Sequence, residues 1–399
     1  MDMIPALAGG TPIRKDYLIF GSPAIEQAEI DEVVDSLESG WLGTGPKVKR
    51  FEDAFREYIG VKYAIALNSC TAALHLALLA IDIKDGDEVI TSPMTFTATA
   101  AAIIHSGGEP VFVDVDLETM NIDTKQIENT INKMTRAIVP VHFAGRPFPM
   151  DNIVALVRKY DLKIIEDAAH AIETVAQGNK VGTIGDLTCF SFYVTKNVVT
   201  GEGGMITTDN HEYAEQVKIM ALHGMTEDAW SRYSDEGFKH YEVVYPGYKY
   251  NMMDIQAAIG IHQLRRVERN AALRKSIWDK YNEVFSELPV ITPSDNALPG
   301  DRHAHHLYIL LLKIEELKIT RDQFMMALHK ENIGTGVHYR ALHLHHYYAR
   351  KYGLKRGMFP NAEYISDRTV SLPLSAKLTD KDVEDVIKAV NRVLKYYAK

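Results

Sequence analysis

The chain has 399 residues, 46% hydrophobic and 24% charged, which are globular values with material for more than one ordinary domain. Its net charge of −9 argues against a nucleic-acid surface, where a clustered basic excess is required. Only two cysteines, Cys70 and Cys189, exclude a disulfide scaffold and fit a reducing compartment.

Met1 to Arg14 lack the cationic start and apolar run of a signal peptide. No apolar stretch reaches membrane-spanning length, so the expectation is a cytoplasmic protein without a membrane partner. Ser22-Pro23 followed by Ala24 to Ser39 and closed by Gly40 predicts a helix with an N-cap, an N1 proline and a C-terminal glycine. Pro46 to Ile59, closed by Gly60, repeats that grammar, and Trp41–Gly45 between them is a glycine-rich loop. Short β-rich runs follow at Tyr63–Leu67, Glu88–Thr91, Pro110–Val113, Ala137–Val141 and Lys163–Glu166. They alternate with stretches of helical period at Thr71–Ile81, Thr95–His105 and Asn152–Tyr160. Strands alternating with helices of this length predict an α/β domain with a mainly parallel sheet covered on both faces. From Met252 to Phe285 the pattern becomes one long helical stretch, followed by a loop over Pro293–Gly300. The remainder predicts an α+β unit, with a strand at Leu307–Lys313 and helices near Thr320–Glu331 and Thr379–Ala398. The division expected is a large domain over 1–255 and a connecting helix with a small C-terminal domain over 256–399.

Four segments that follow strand ends carry chemistry. The run Phe190-Ser191-Phe192-Tyr193-Val194-Thr195-Lys196-Asn197 ends in a lysine that precedes the glycine turn Gly201-Glu202-Gly203-Gly204. An amine after apolar residues is placed for desolvation, which lowers its pKa and makes it a nucleophile towards carbonyls. Pyridoxal phosphate (PLP) is the commonest aldehyde to meet such a lysine, although a solvated Lys at a strand end has the same local sequence. Asn68-Ser69-Cys70-Thr71 opens a helix after a strand, either as a phosphate cradle or as a plain N-cap. Glu166-Asp167-Ala168-Ala169-His170 sets acids and a histidine at the edge where ligands of open α/β sheets bind. Asp167 there either holds a pyridine nitrogen protonated or caps the next helix. Phe96 either stacks on an aromatic ring or belongs to the core. The four readings converge on one cofactor.

These segments, together with Pro246-Gly247-Tyr248-Lys249-Tyr250-Asn251, closely resemble the DegT/StrS nucleotide-sugar aminotransferases, PLP enzymes of fold type I. The resemblance runs from the Trp41–Pro46 loop to Ser371-Leu372-Pro373-Leu374. It implies the aspartate aminotransferase-like fold, with a mixed, mainly parallel sheet between helices and a smaller C-terminal domain. It implies that Lys196 holds the cofactor covalently and shuttles the proton, that Asp167 pairs with the ring nitrogen, and that Phe96 stacks on the ring. His170 takes the position against the phenolic oxygen, and Cys70, Thr71 and Ser191 that of phosphate donors, with Cys70 a departure from the usual small or hydroxyl residue. Asn251 is implied to reach the phosphate of the neighbouring subunit in a homodimer with shared sites. The reaction implied is ping-pong transfer from an amino acid, with glutamate the expected donor, to a nucleotide-linked keto sugar. Relatives with His in place of the lysine dehydrate sugars instead, so a dehydratase is the competing reading that Lys196 argues against.

Gly334–Arg340 and Pro246–Asn251 look most like the enzymes that aminate C4 of a UDP-linked keto sugar, with a 3-keto sugar the alternative. On that resemblance Thr44, Lys249, His338, Tyr339 and Arg340 are candidate substrate contacts. The histidine-rich stretches at His303, His305, His306 and His343, His345, His346 lack acid or cysteine partners at regular spacing, and no metal site is expected.

Overall fold

The computed structural model describes residues 4–226, 241–294 and 300–399. The first three residues of the N-terminal segment, and 295–299 of the expected Pro293–Gly300 loop, lie outside them. In chain order the first half comprises α1 (Gln27–Ser39), α2 (Pro46–Ile59), β1 (Tyr63–Leu67), α3 (Cys70–Ala80), β2 (Glu88–Thr91), α4 (Thr97–His105), β3 (Glu109–Phe112) and the single turn α5 (Thr124–Ile127). Then come β4 (Thr135–Val139), α6 (Asp151–Tyr160), β5 (Lys163–Asp167), the small hairpin β6 (Val175–Ala176) and β7 (Asn179–Lys180), β8 (Leu187–Ser191), β9 (Gly204–Thr208) and α7 (His211–Ala221). The rest is α8 (Asp254–Arg265), α9 (Val267–Phe285), β10 (Val290–Ile291), β11 (Tyr308–Leu312), α10 (Arg321–Lys330), α11 (His346–Tyr352), α12 (Pro360–Arg368), β12 (Thr369–Leu372) and α13 (Asp380–Tyr397).

Seven strands form one sheet in the order β1-β9-β8-β5-β4-β2-β3. All pairs are parallel except the two made by β9, which runs against both β1 and β8. One face of the sheet buries Leu67, Val89, Ile165 and Ile206 against Leu74 and Leu76 of α3, Ile103 of α4 and Val217 of α7. The other buries Phe190 and Phe192 against Phe51 and Phe55 of α2 and Ile261 of α8. The rings of Phe51 and Phe192 meet edge-on with centroids 5.1 Å apart, an arrangement favoured by the ring quadrupoles. A second sheet, β10-β11-β12, carries its own core around Trp278, Tyr281, Tyr308 and Phe324. The N-terminal segment, grouped by sequence with the first domain, runs along this second unit: Glu331 accepts the N–H groups of Ala6 and Ile13, and Leu18 bridges Ile333.

Three local expectations are corrected. The first helix begins at Gln27, not after Ser22-Pro23, because Glu26 and Glu29 close a reciprocal capping box and satisfy the first-turn N–H groups there. The long helix from Met252 is two helices, broken at Arg266 (φ −103°, ψ 2°), whose guanidinium turns to pair with Glu29. The β-run expected to end at Lys196 stops at Ser191; Lys196 lies in the following turn, its N–H donating to the Tyr193 carbonyl at 2.8 Å.

Candidate active site

The parallel strands end their carboxyl edges together. Ser69 follows β1, Ser92–Phe96 follow β2, His142 follows β4, Asp167 closes β5, and Ser191 closes β8. Between this edge and the second sheet lies a cavity of about 580 Å³ lined by Cys70, Thr71, Phe96, Asp167, His170, Ser191, Lys196, His338 and Tyr339, among others. The second unit docks beside it through the Leu342 N–H, which donates to the Pro93 carbonyl at 2.8 Å.

Lys196 is held in the turn that follows β8 and lines the cavity. Desolvation brings its amine down to about 8, with the negative charge of Asp167 and the Cys70 thiol working in the opposite sense. Asp167 is 5% exposed. Burial raises its carboxyl above the ordinary aspartate range, while the Thr99 hydroxyl at 2.7 Å, the Ala169 N–H at 3.2 Å and the Lys196 charge favour its ionised form. Phe96 is 58% exposed, an unusual amount for an aromatic side chain in a cavity wall; its ring centroid is 6.2 Å from that of Tyr339.

The start of α3 is built for close approach. Ser69 caps the helix by accepting the Ala72 N–H at 3.1 Å, and a Cβ on Gly204 would lie 2.5 Å from the Ser69 carbonyl carbon. Cys70 and Thr71 therefore present the first N–H groups of an eleven-residue helix to the cavity, with Ser191 beside them. The Cys70 thiol is pushed up by burial and stays neutral.

Behind Lys196 lies a buried polar chain that sequence reasoning missed. Arg274 of α9 pairs with Glu173, and the Asn197 amide donates to Glu173 at 2.8 Å and to the Ala304 carbonyl at 3.1 Å. The Asn197 carbonyl oxygen lies 3.0 Å from Nδ1 of His306, whose ring sits 4.5 Å from that of His170. Burial pushes both histidines well below their usual pKa, so both are neutral. His306 was visible in the sequence only as one of a histidine-rich stretch; its role depends on the second sheet reaching the first. The other histidines scatter: His303 stacks on His305, while His343 pairs with Glu363 at 3.0 Å.

Four sequence candidates are not in the cavity. Asn251 donates to the Thr44 hydroxyl at 2.6 Å, and the two line a separate cleft with Lys49 and Arg56. Lys249 is exposed, and Arg340 is exposed with its guanidinium donating to the Leu344 carbonyl at 3.0 Å.

A lysine amine, a buried carboxylate, an open aromatic face and a helix N-terminus at the carboxyl edge of a mainly parallel sheet fit a PLP-dependent enzyme. The chain belongs to the DegT/DnrJ/EryC1/StrS aminotransferase family, whose model matches residues 23–391. It is 54% identical over 383 residues to an uncharacterized protein of Methanocaldococcus jannaschii, covering 96% of this chain and 99% of that one. It is 48% identical over 384 residues to the spore coat polysaccharide biosynthesis protein SpsC of Bacillus subtilis, covering 96% and 98%. Among solved structures, the putative sugar aminotransferase Spr1654 from Streptococcus pneumoniae in its PMP form matches with a TM-score of 0.88 at 34% identity, covering 95% of this chain and 99% of that one. That protein is also known in a PLP form. The enzyme is a PLP-dependent sugar aminotransferase. Its cavity fits the cofactor: the open face of Phe96 matches a ring, the buried Asp167 a protonated ring nitrogen, and the cradle kept clear by Gly204 a phosphate.

Proposed function

We propose that this enzyme moves the amino group of L-glutamate to the keto carbon at C4 of a UDP-linked sugar. The resemblance of the Gly334–Arg340 and Pro246–Asn251 segments to C4-aminating enzymes supports the sugar. The observation that carries the reading is Lys196, an amine brought to about 8 by desolvation amid the cofactor-shaped walls. When bound, the cofactor supplies an electron sink for the carbon that loses its proton.

The remaining work belongs to the chain. Lys196 Nζ would hold the cofactor through its aldehyde and, once free, would serve as the amine that moves a proton at the reacting carbon. Asp167 would keep the ring nitrogen protonated, Phe96 would offer its face to the ring, and His170 would be the residue for the phenolic oxygen. Cys70 and Thr71 bind the phosphate through the α3 N-terminus, with Ser191 assisting. His338 and Tyr339 meet the substrate inside the cavity, and Lys249 and Arg340 meet the nucleotide diphosphate at its rim.

Thr44 and Asn251 serve the cavity of a second subunit in a homodimer. Two observations support this: buried Oδ1 of Asn251 has no partner among the described residues, and α1 exposes Ile30, Val34 and Leu37 in a row leading to Trp41. We place the domain boundary at residue 255 and the enzyme in the cytoplasm, where two free cysteines persist. Of the expected roles in cell-surface polysaccharide or lipopolysaccharide synthesis, the name of the B. subtilis relative supports the first.

The test is to load the purified protein with PLP, add glutamate and follow the visible absorbance band. Bleaching on glutamate, and recovery on UDP-linked 4-keto sugars with an amino sugar seen by mass, is the expected result. Bleaching without recovery on any 4-keto sugar, but with recovery on a 3-keto sugar, moves the reaction to C3. An unbleached band moves the reading to the dehydratase.

A further inference from the structure

Two hydrogen bonds locate the proton of His170. Its Nδ1 accepts the Ala144 N–H at 3.2 Å, so Nδ1 bears a lone pair and the neutral ring carries its proton on Nε2. Nε2 lies 3.2 Å from the Tyr339 hydroxyl and must be the donor there. The Tyr339 oxygen is thus an acceptor towards His170, and a phenol has one proton left to give. No other hydrogen bond of that hydroxyl is formed to the described residues, and Tyr339 lines the cavity with Lys196. Its ring lies within 15° of parallel to the His170 ring, so the hydroxyl cannot swing far without unstacking.

The layer beneath is equally determined. The Asn197 NH2 group has two acceptors, Glu173 and the Ala304 carbonyl, which leaves its oxygen to accept from Nδ1–H of His306. A neutral His306 therefore packs under a neutral His170, and neither competes as a cation for the phenolic proton. Burial raises the Tyr339 pKa, so the hydroxyl stays protonated and acts as a donor, not as an acid.

We propose that Tyr339 is a catalytic hydrogen-bond donor to the substrate's carbonyl oxygen, aimed into the cavity by His170. The assignment rests on the aminotransferase reading above. As an amine nitrogen adds to the carbonyl carbon, the C–N bond forms and the C=O π pair settles on the oxygen, where Tyr339 stabilises it without giving up its proton; in the reverse direction the oxygen pair re-forms the C=O as the C–N bond breaks and the nitrogen keeps that pair, so the same donor serves keto-acid release. In a ping-pong scheme the keto acid leaving and the keto sugar arriving present their oxygens at the same place. Arg340 lies outside the cavity with its guanidinium turned to the Leu344 carbonyl, and Nδ1 of His338 is taken up by the Ser371 hydroxyl at 2.7 Å.

The experiment uses PLP-loaded wild type and Tyr339→Phe with whichever amino acid of a panel bleaches the wild-type band fastest. Bleaching reports the proton step of Lys196; release of the keto acid reports the later carbonyl step. For Y339F we expect bleaching within about twofold of wild type and keto-acid release slowed about 100-fold, the usual effect of losing one oxyanion donor. Equal slowing of both steps, or none of either, overturns the assignment. A wild type that bleaches with no amino acid overturns the aminotransferase reading and the assignment with it, whereas a wild type that turns over with Y339F as its equal overturns the assignment alone. Independently, the ¹⁵N spectrum of His170 is expected to show a neutral Nε2–H ring; an Nδ1–H tautomer overturns the aiming of Tyr339.

Discussion

Gly204 lies so close to the Ser69–Cys70 peptide that a Cβ there would sit 2.5 Å from the Ser69 carbonyl carbon and 2.6 Å from the Cys70 nitrogen. The antiparallel strand β9 thereby seats the N-terminus of α3 at the cavity wall. Backbone atoms cannot yield as a flexible side chain can. Gly204→Ala is expected to cost roughly 1–3 kcal/mol of stability by overpacking. It should also raise the PLP dissociation constant about tenfold, since the cradle must move. Denaturant unfolding and titration of the apoprotein measure the two effects.

The depressed Lys196 pKa predicts a pH dependence. Capture of the PLP aldehyde needs the neutral amine, so its rate in the apoprotein should rise with pH to a midpoint near 8 and then level off. The folded pKa lies below the unfolded value of 10.5, so the unfolded chain holds more protons between those values and stability gains as pH rises through that window. Borohydride trapping followed by mass measurement gives the midpoint. A midpoint near 10.5 would show a solvated lysine.

Asp167→Asn keeps the shape and both local hydrogen-bonding neighbours but removes the charge. It should fold with unchanged or higher stability, because a buried carboxylate held at a raised pKa is costly. Turnover should fall by about 100-fold or more as the ring nitrogen loses its counter-ion. Paired measurement of thermal unfolding and of kcat separates the two.

Leu37→Asp places a charge in the exposed apolar row of α1. If a second subunit covers that row, the variant should sediment as a monomer and lose activity while keeping its fold by circular dichroism. Asn251→Ala should remain dimeric and show weaker PLP binding, by about tenfold for one lost phosphate contact. A wild-type protein that sediments as a monomer would remove the basis of both expectations.

Much of the site was legible because it follows strand ends, and strand ends are local. Ser69–Thr71, Phe96, Asp167–His170 and Ser191–Lys196 each announce themselves by an apolar run followed by polar or glycine residues, and an open parallel sheet sends such ends to one edge. The helix α2 was legible to the residue, since its N1 proline and C-terminal glycine are backbone requirements. The start of α1 was not, because Ser22-Pro23 offers the same grammar and only the Glu26–Glu29 capping box decides between them.

The sequence by itself determined the family and the cofactor and singled out Lys196 as the candidate amine, since these depend on residue types at short spacing. The tertiary structure alone decided what stands behind and around that lysine. Glu173, Arg274 and Ala304 are distant in sequence and meet at Asn197 only because α9 and the second sheet pack against the first. Likewise Thr44 and Asn251, 207 residues apart, are joined at 2.6 Å outside the cavity, which no spacing rule predicts. The direction of the Tyr339 proton follows from the hydrogen bonds that His170 makes with Ala144 and Tyr339, a relation between the segments after β4, β5 and α10 that exists only in the folded chain.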